Sequence, residues 1–216
     1  MTFGCEMIVL SYTKYGESAI VLHTLTRQMG RRSFMVRVGK GKSMAHFQPL
    51  NILEAEVTEN PKSNLFSARK FTGRYPLSGI RNDIRKNAMT MFLSEVLYRI
   101  IKDGVQEEGL YEWTVGQILA LDALQSDFAN FHLRFLADLA SALGFTPDFD
   151  GISPFAGDRM ELVEALLQTS FSEAMLIPMT GEIRNEIAEI FLRYIEYHTE
   201  TPVNIKSLKV LRELFA

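Results

Sequence analysis

The chain has 216 residues, 47% hydrophobic and 23% charged, with a formal net charge of −3. This composition suits one large or two small globular domains and excludes a low-complexity chain. No stretch reaches the roughly eighteen consecutive apolar residues that a membrane span needs. The first ten residues lack a signal peptide's basic and apolar runs. A lone cysteine, Cys5, excludes an internal disulfide framework and fits a reducing compartment. Together these features predict a cytoplasmic protein with no membrane partner.

The net charge hides a division. Residues 1–86 hold 14 lysines and arginines against 6 acids, and the remainder holds 9 against 20. Asymmetry of this kind points to a polyanion partner at the basic end. The alternative is that the two parts neutralise each other.

In chain order, 6–12 and 17–26 are rich in Ile, Val, Leu, Thr and Tyr and read as strands, joined by a turn at Tyr12-Thr13-Lys14-Tyr15-Gly16. Residues 31–38 alternate, with Phe34, Val36 and Val38 on one face and Arg31, Ser33, Met35 and Arg37 on the other. A one-residue slip would bury the arginines, so the register is well specified. A loop at 39–43 follows. In 50–58, Leu53, Ala55 and Val57 point inward and Ile52, Glu54 and Glu56 outward. A turn at 60–64 leads to a fifth strand at 65–72. Five short strands in so short a span predict a small closed barrel, of which the OB-fold is the commonest with that strand number.

Tyr75-Pro76-Leu77-Ser78-Gly79 breaks the β pattern, and everything after it has helical period. Helices are expected at 83–102, capped by Asp83, at 110–124, from about 127 to 143, at 159–167, at 182–198 and at 206–215. Residues 148–158, with Gly151, Pro154 and Gly157, read as a loop. The fold class is therefore α+β multidomain: an N-terminal OB-fold barrel over 1–79 followed by an all-α helical domain over 80–216.

Motifs for chemistry are missing. The sequence has no Walker A loop, paired-glycine dinucleotide signature or Gly-x-Ser-x-Gly elbow. Gly39-Lys40-Gly41-Lys42-Ser43 ends like a phosphate loop, but its glycine spacing is wrong and no helix is expected after it. His23, His46, His132 and His198 share no metal-ligand spacing. No catalytic residue, metal or cofactor is expected, and the chain reads as a binding protein rather than an enzyme.

What remains is a basic cluster. Arg27, Arg31 and Arg32 flank a turn at Gln28-Met29-Gly30, Arg37 continues the face of Arg31, and Lys40 and Lys42 lie in the next loop. Arg69, Lys70 and Arg74 lie on or just after the last strand, where a closed barrel could bring them near the first group. Arginine's planar fork matches phosphate. Tyr12 and Tyr15 are candidate stacking platforms, while Phe34 alternates toward the core. The nine cations form the expected nucleic-acid-binding set.

The order and spacing of Tyr15-Gly16-Glu17, Leu25-Thr26, Gly30-Arg31-Arg32-Ser33, residues 40–43 and Gln48-Pro49-Leu50 resemble the N-terminal domain of the recombination mediator RecO family. Tyr75-Pro76-Leu77, Ser94-Glu95, Leu110-Tyr111, Phe131-His132-Leu133-Arg134-Phe135-Leu136 and Leu143-Gly144-Phe145 before Pro147 resemble its helical domain. The resemblance implies a protein that binds single- and double-stranded DNA, anneals complementary strands and helps load recombinase in recombinational DNA repair. It implies as partners a RecR-type mediator and the acidic C-terminal tail of single-strand-binding protein, and a nucleoid-associated place in the cytoplasm. For that tail the candidates are cations on helices beside apolar residues, Arg134 and Arg193. The chain departs from the family in having one cysteine, so the four-cysteine zinc site of many members is impossible, and in a short 148–159 region. The competing reading is a protein-binding adaptor whose barrel recognises acidic partner tails and touches DNA incidentally.

Overall fold

Alternation in the first third of the chain is realised as five strands: β1 Thr2–Tyr15, β2 Ala19–Thr26, β3 Gly30–Arg37, β4 Ile52–Thr58 and β5 Phe66–Gly73. The computed structural model describes residues 1–39, 44–59 and 66–215. Lys40, Lys42, most of the loop expected at 39–43, the turn expected at 60–64 and Leu65 lie outside the described residues.

The strands close into a barrel in the order β1-β2-β3-β5-β4. β1 is long enough to serve two neighbours, pairing with β4 through Thr2–Ile8 and with β2 through Met7–Tyr15. A register shift between Val9 and Ser11 lets it bend from one to the other, as an inserted residue does. The barrel core contains Cys5, Met7, Val9, Ile20, Leu22, Phe34, Val36, Leu53, Ala55, Val57 and Ala68. Each large apolar side chain buried here contributes about 1.5–3 kcal/mol. Phe34 is fully enclosed, as its alternation predicts. Burial pushes the Cys5 thiol up to about 12, so it packs as an unreactive apolar group.

Nine α-helices follow among the described residues: α1 Ser78–Arg81, α2 Ile84–Ile100, α3 Leu110–Ala123, α4 Phe131–Ala142, α5 Phe149–Ala156, α6 Met160–Gln168, α7 Phe171–Leu176, α8 Gly181–Thr199 and α9 Leu208–Leu214. Asp83 caps α2, accepting from the backbone N–H of Arg85 at 2.8 Å and of Lys86 at 3.3 Å. The loop expected at 148–158 is instead helical. Asp148 caps α5 by accepting from the Gly151 N–H at 2.8 Å. Pro154 cannot donate to the Asp150 carbonyl, and the Ser153 hydroxyl donates to it instead at 3.2 Å. Burial of Ile152 and Ala156 holds the helix in place. Among the described residues no helix is long and apolar enough to cross a membrane.

The chain divides into two compact units. One joins the barrel, Met1–Ser78, with Ser94–Ile118; the other joins Gly79–Leu93 with Leu119–Ala216. In the first, the Arg31 carbonyl accepts from the Gly104 N–H at 3.0 Å, so the chain beyond α2 runs along the start of β3. Gly30, at φ +63°, makes this approach possible: a Cβ there would lie 1.9 Å from the Val105 carbonyl oxygen. In the second unit, α4 buries Phe131, Leu133, Phe135, Leu136 and Leu139. Asn130, just before it, donates to the carbonyls of Ala174 and Ile177 and accepts from Arg184. Lys86 turns inward, donating to the carbonyls of Asp122 and Leu124 at the end of α3.

Candidate nucleic-acid interface

β3 and β5 are parallel neighbours, paired among the described residues at Phe34 with Phe66 and at Met35 with Ser67. Beyond them the strands diverge and leave a groove of about 620 Å³. Its lining comes from the end of β3 (Met35 to Val38), from the 3₁₀ turn Met44–Phe47 (His46 and Phe47), and from β5 (Ser67 to Phe71). The floor is apolar, and the Phe47 and Phe71 rings meet edge to face at 5.0 Å.

Three of the sequence-predicted cations stand on this groove: Arg37, Arg69 and Lys70. An irregularity in β5 sets up the second and third. The register with β4 shifts between Glu54 and Glu56, and Lys70 takes a left-handed φ of +55°. The bulge breaks strict alternation, so Arg69 and Lys70 are both exposed in succession while Phe71 turns back toward the interior like Ala68. A left-handed lysine is strained, and strain of this kind gathers at functional sites. Glu56, on β4, pairs with both cations, at 3.2 Å to Arg69 and 2.7 Å to Lys70. The hydrogen bond from Lys70, helped by Arg69, holds its carboxyl below the ordinary carboxylate range. Arg69 and Lys70 nevertheless keep 65% and 68% of their side chains in solvent, so a phosphate can reach both. Arg37 is exposed, and among the described residues no carboxylate lies within ion-pairing distance of it.

Of the other predicted cations among the described residues, Arg27, Arg31 and Arg74 have partners within the barrel unit. Arg27 pairs with Glu112 at 2.8 Å and Glu6 at 3.4 Å, and Arg74 also pairs with Glu6. Arg31 donates to the Ile101 carbonyl at 2.8 Å and lies 4.4 Å over the Tyr98 ring. Arg32 shares the strand face of Phe34, and its guanidinium runs toward Gly104. Of the tail-binding candidates, Arg134 bonds Asp138 at 2.9 Å and the Leu166 and Thr169 carbonyls at the end of α6. Arg193 is exposed, with a 3.4 Å bond to the Phe155 carbonyl. Tyr12 and Tyr15 are exposed on β1 and stand apart from the groove lining.

Sequence reasoning missed the groove's rings, Phe47, Phe71 and His46. Phe71 carried a usable signal, since it follows two consecutive cations in a strand, a break in alternation that marks a bulge.

A closed five-stranded barrel in this order is an OB-fold, a class whose members take oligonucleotides, oligosaccharides and other extended ligands. The family model described as Recombination protein O N terminal matches residues 1–73, and the one described as Recombination protein O C terminal matches residues 81–153. The chain is similar to the DNA repair protein RecO of Bacteroides fragilis, 30% identical over 236 residues that cover 96% of this chain and 97% of the relative. It is also similar to that of Christiangramia forsetii, 31% identical over 241 residues and all of both chains, and to that of Phocaeicola vulgatus, 30% identical over 234 residues and 97% of each. The chain belongs to the RecO family of DNA repair proteins.

Proposed function

We propose that the chain binds DNA through the barrel groove and in this way anneals complementary single strands and helps load recombinase during recombinational repair. The observation that carries this reading is the exposed Arg37, without a carboxylate partner among the described residues, on one groove with the consecutive cations Arg69 and Lys70 and an aromatic floor. Lys40 and Lys42 follow Arg37 closely in sequence and are proposed as part of the same strand-binding set. Arg27, Arg31 and Arg74 are held by partners within the fold, and Arg32 is half-buried beside Gly104.

The mechanism is electrostatic. Side-chain cations replace the counterions condensed on the strand, and their release drives binding without fuel. Two strands held side by side with their charge reduced can pair. The groove is assigned binding and positioning alone, with no covalent step. A RecR-type mediator and the acidic tail of single-strand-binding protein complete the reading, with the exposed Arg193 better placed for the tail than Arg134, whose guanidinium already caps α6. On this view 1–79 is the strand-binding region, 80–216 receives protein partners, and the protein works in the cytoplasm on nucleoid DNA.

The test is a fluorescence-anisotropy titration of a single-stranded oligonucleotide at several salt concentrations, beside the rate at which complementary strands anneal. Three phosphate contacts give log affinity against log salt a slope of about −2, and five give about −3.5. A slope near zero, or annealing no faster than without protein, would refute the proposal.

A further inference from the structure

We infer that the groove takes unstacked nucleobases, so that the barrel recognises single strands by their bases as well as their phosphates; this rests on the DNA-binding reading above. A site for phosphate alone needs only cations on an open surface. This one has depth: about 620 Å³, within the roughly 300–1,000 Å³ of sites that enclose whole ligands. Its apolar lining of Val36, Val38, Phe47, Ala68 and Phe71 offers nothing to a phosphate but suits the faces of flat rings. The edge-to-face contact of Phe47 with Phe71 fixes both rings in advance, which lowers the entropy lost when a base stacks on them.

The backbone adds polar groups at the same place. Among the described residues the β3–β5 ladder ends at Met35 and Ser67. Beyond it the Val38 N–H is taken by the Ser18 carbonyl at 2.8 Å, so by alternation it is the Arg37 N–H and C=O that are left on the β5 side of the strand. Those groups suit the hydrogen-bonding edges of a base. The cations stand at the rim, Arg37 on the β3 side and Arg69 and Lys70 on the β5 side, where they would hold the phosphates flanking a base that points inward. A single strand can turn its bases into such a cleft at little cost. A duplex keeps its bases stacked inside and presents only phosphates, so it would touch the rim and leave the floor empty. The occupant this arrangement fits is therefore a flexible, unpaired strand.

The experiment compares three oligonucleotides by anisotropy: an ordinary single strand, an abasic single strand with the same number of phosphates, and a duplex. The intact protein is expected to bind the ordinary strand at least about tenfold more tightly than the abasic one, the loss expected when base–aromatic stacking is removed. Phe71→Leu keeps apolar volume but removes the ring, and should narrow that ratio by weakening the ordinary strand more than the abasic one. Arg37→Ala should weaken ordinary and abasic strands in equal proportion. Equal affinity of the intact protein for ordinary and abasic strands overturns the inference and leaves the DNA-binding reading standing. Failure to bind any of the three at low salt overturns that reading and this inference with it.

Discussion

Arg37→Ala is the substitution that most directly measures whether the groove is a phosphate site. Its guanidinium is exposed and has no carboxylate partner among the described residues, so the main effect of its removal should fall on the ligand. A cation that neutralises one phosphate of a single strand contributes about 0.7 to the slope of log affinity against log salt. Taking that contribution as nil near 1 M salt, its loss weakens binding about fourfold at 0.15 M and about fifteenfold at 0.02 M. Arg27→Ala is the control, because Arg27 is nearby in sequence but held by Glu112 and Glu6. It should leave the slope unchanged. The assay is anisotropy at four or five salt concentrations for the parent and both variants, with urea unfolding to show that each is folded. An unchanged slope for Arg37→Ala, or an equal drop for Arg27→Ala, would refute the argument that exposure and lack of a carboxylate partner mark the binding cation.

Three further outcomes follow from local geometry. Gly30→Ala should lower stability to urea by at least about 2 kcal/mol, since the added methyl meets the Val105 carbonyl and a left-handed φ is itself unfavourable; an unchanged unfolding midpoint would mean that this close approach is absent. At the β5 bulge, Lys70→Gly should be more stable than Lys70→Val by roughly 1–2 kcal/mol, because a β-branched residue tolerates the left-handed conformation poorly. Both variants should lose strand affinity, and equal stabilities would remove the bulge from the account. His132 is fully enclosed, and burial, followed by nearby Arg184, pushes its imidazole down to about 3. Its folded value lies below the unfolded one, so the unfolded chain takes up the proton first, and stability is full above about pH 6.5 and falls toward pH 3. Between pH 7.5 and 5 this single group should cost about 2 kcal/mol. His132→Leu should flatten that part of the urea-midpoint profile, and an identical profile would place the acid sensitivity elsewhere.

The sequence by itself determined the kind of elements and most of their faces, because both depend on periods that a chain carries locally. Ile52, expected outward, is instead buried at the start of β4, and β1 runs on to Tyr15 through most of the turn expected at 12–16. Alternation put Phe34 and Val36 inside the barrel, and Leu53, Ala55 and Val57 opposite them. The 3.6-residue stripe of α4 marked it as buried. It also supplied the cations, since arginine and lysine are visible wherever they occur. Local signals misled at 148–158, where Gly151, Pro154 and Gly157 suggested a loop. The competing terms were a capping aspartate, a serine hydroxyl that replaces the bond proline cannot make, and burial of Ile152 and Ala156.

Only the tertiary structure decided which cations are available to a ligand. Whether an arginine faces a phosphate or a carboxylate depends on partners far away in sequence, such as Glu112 for Arg27 or the Ile101 carbonyl for Arg31. The groove is likewise a product of two strands that pair briefly and then part, with a ring from the 3₁₀ turn and another beyond the β5 bulge brought together. Charge and period are properties of neighbouring residues, whereas a cavity is a property of distances between segments. That difference is why the barrel could be read from the chain and its groove could not.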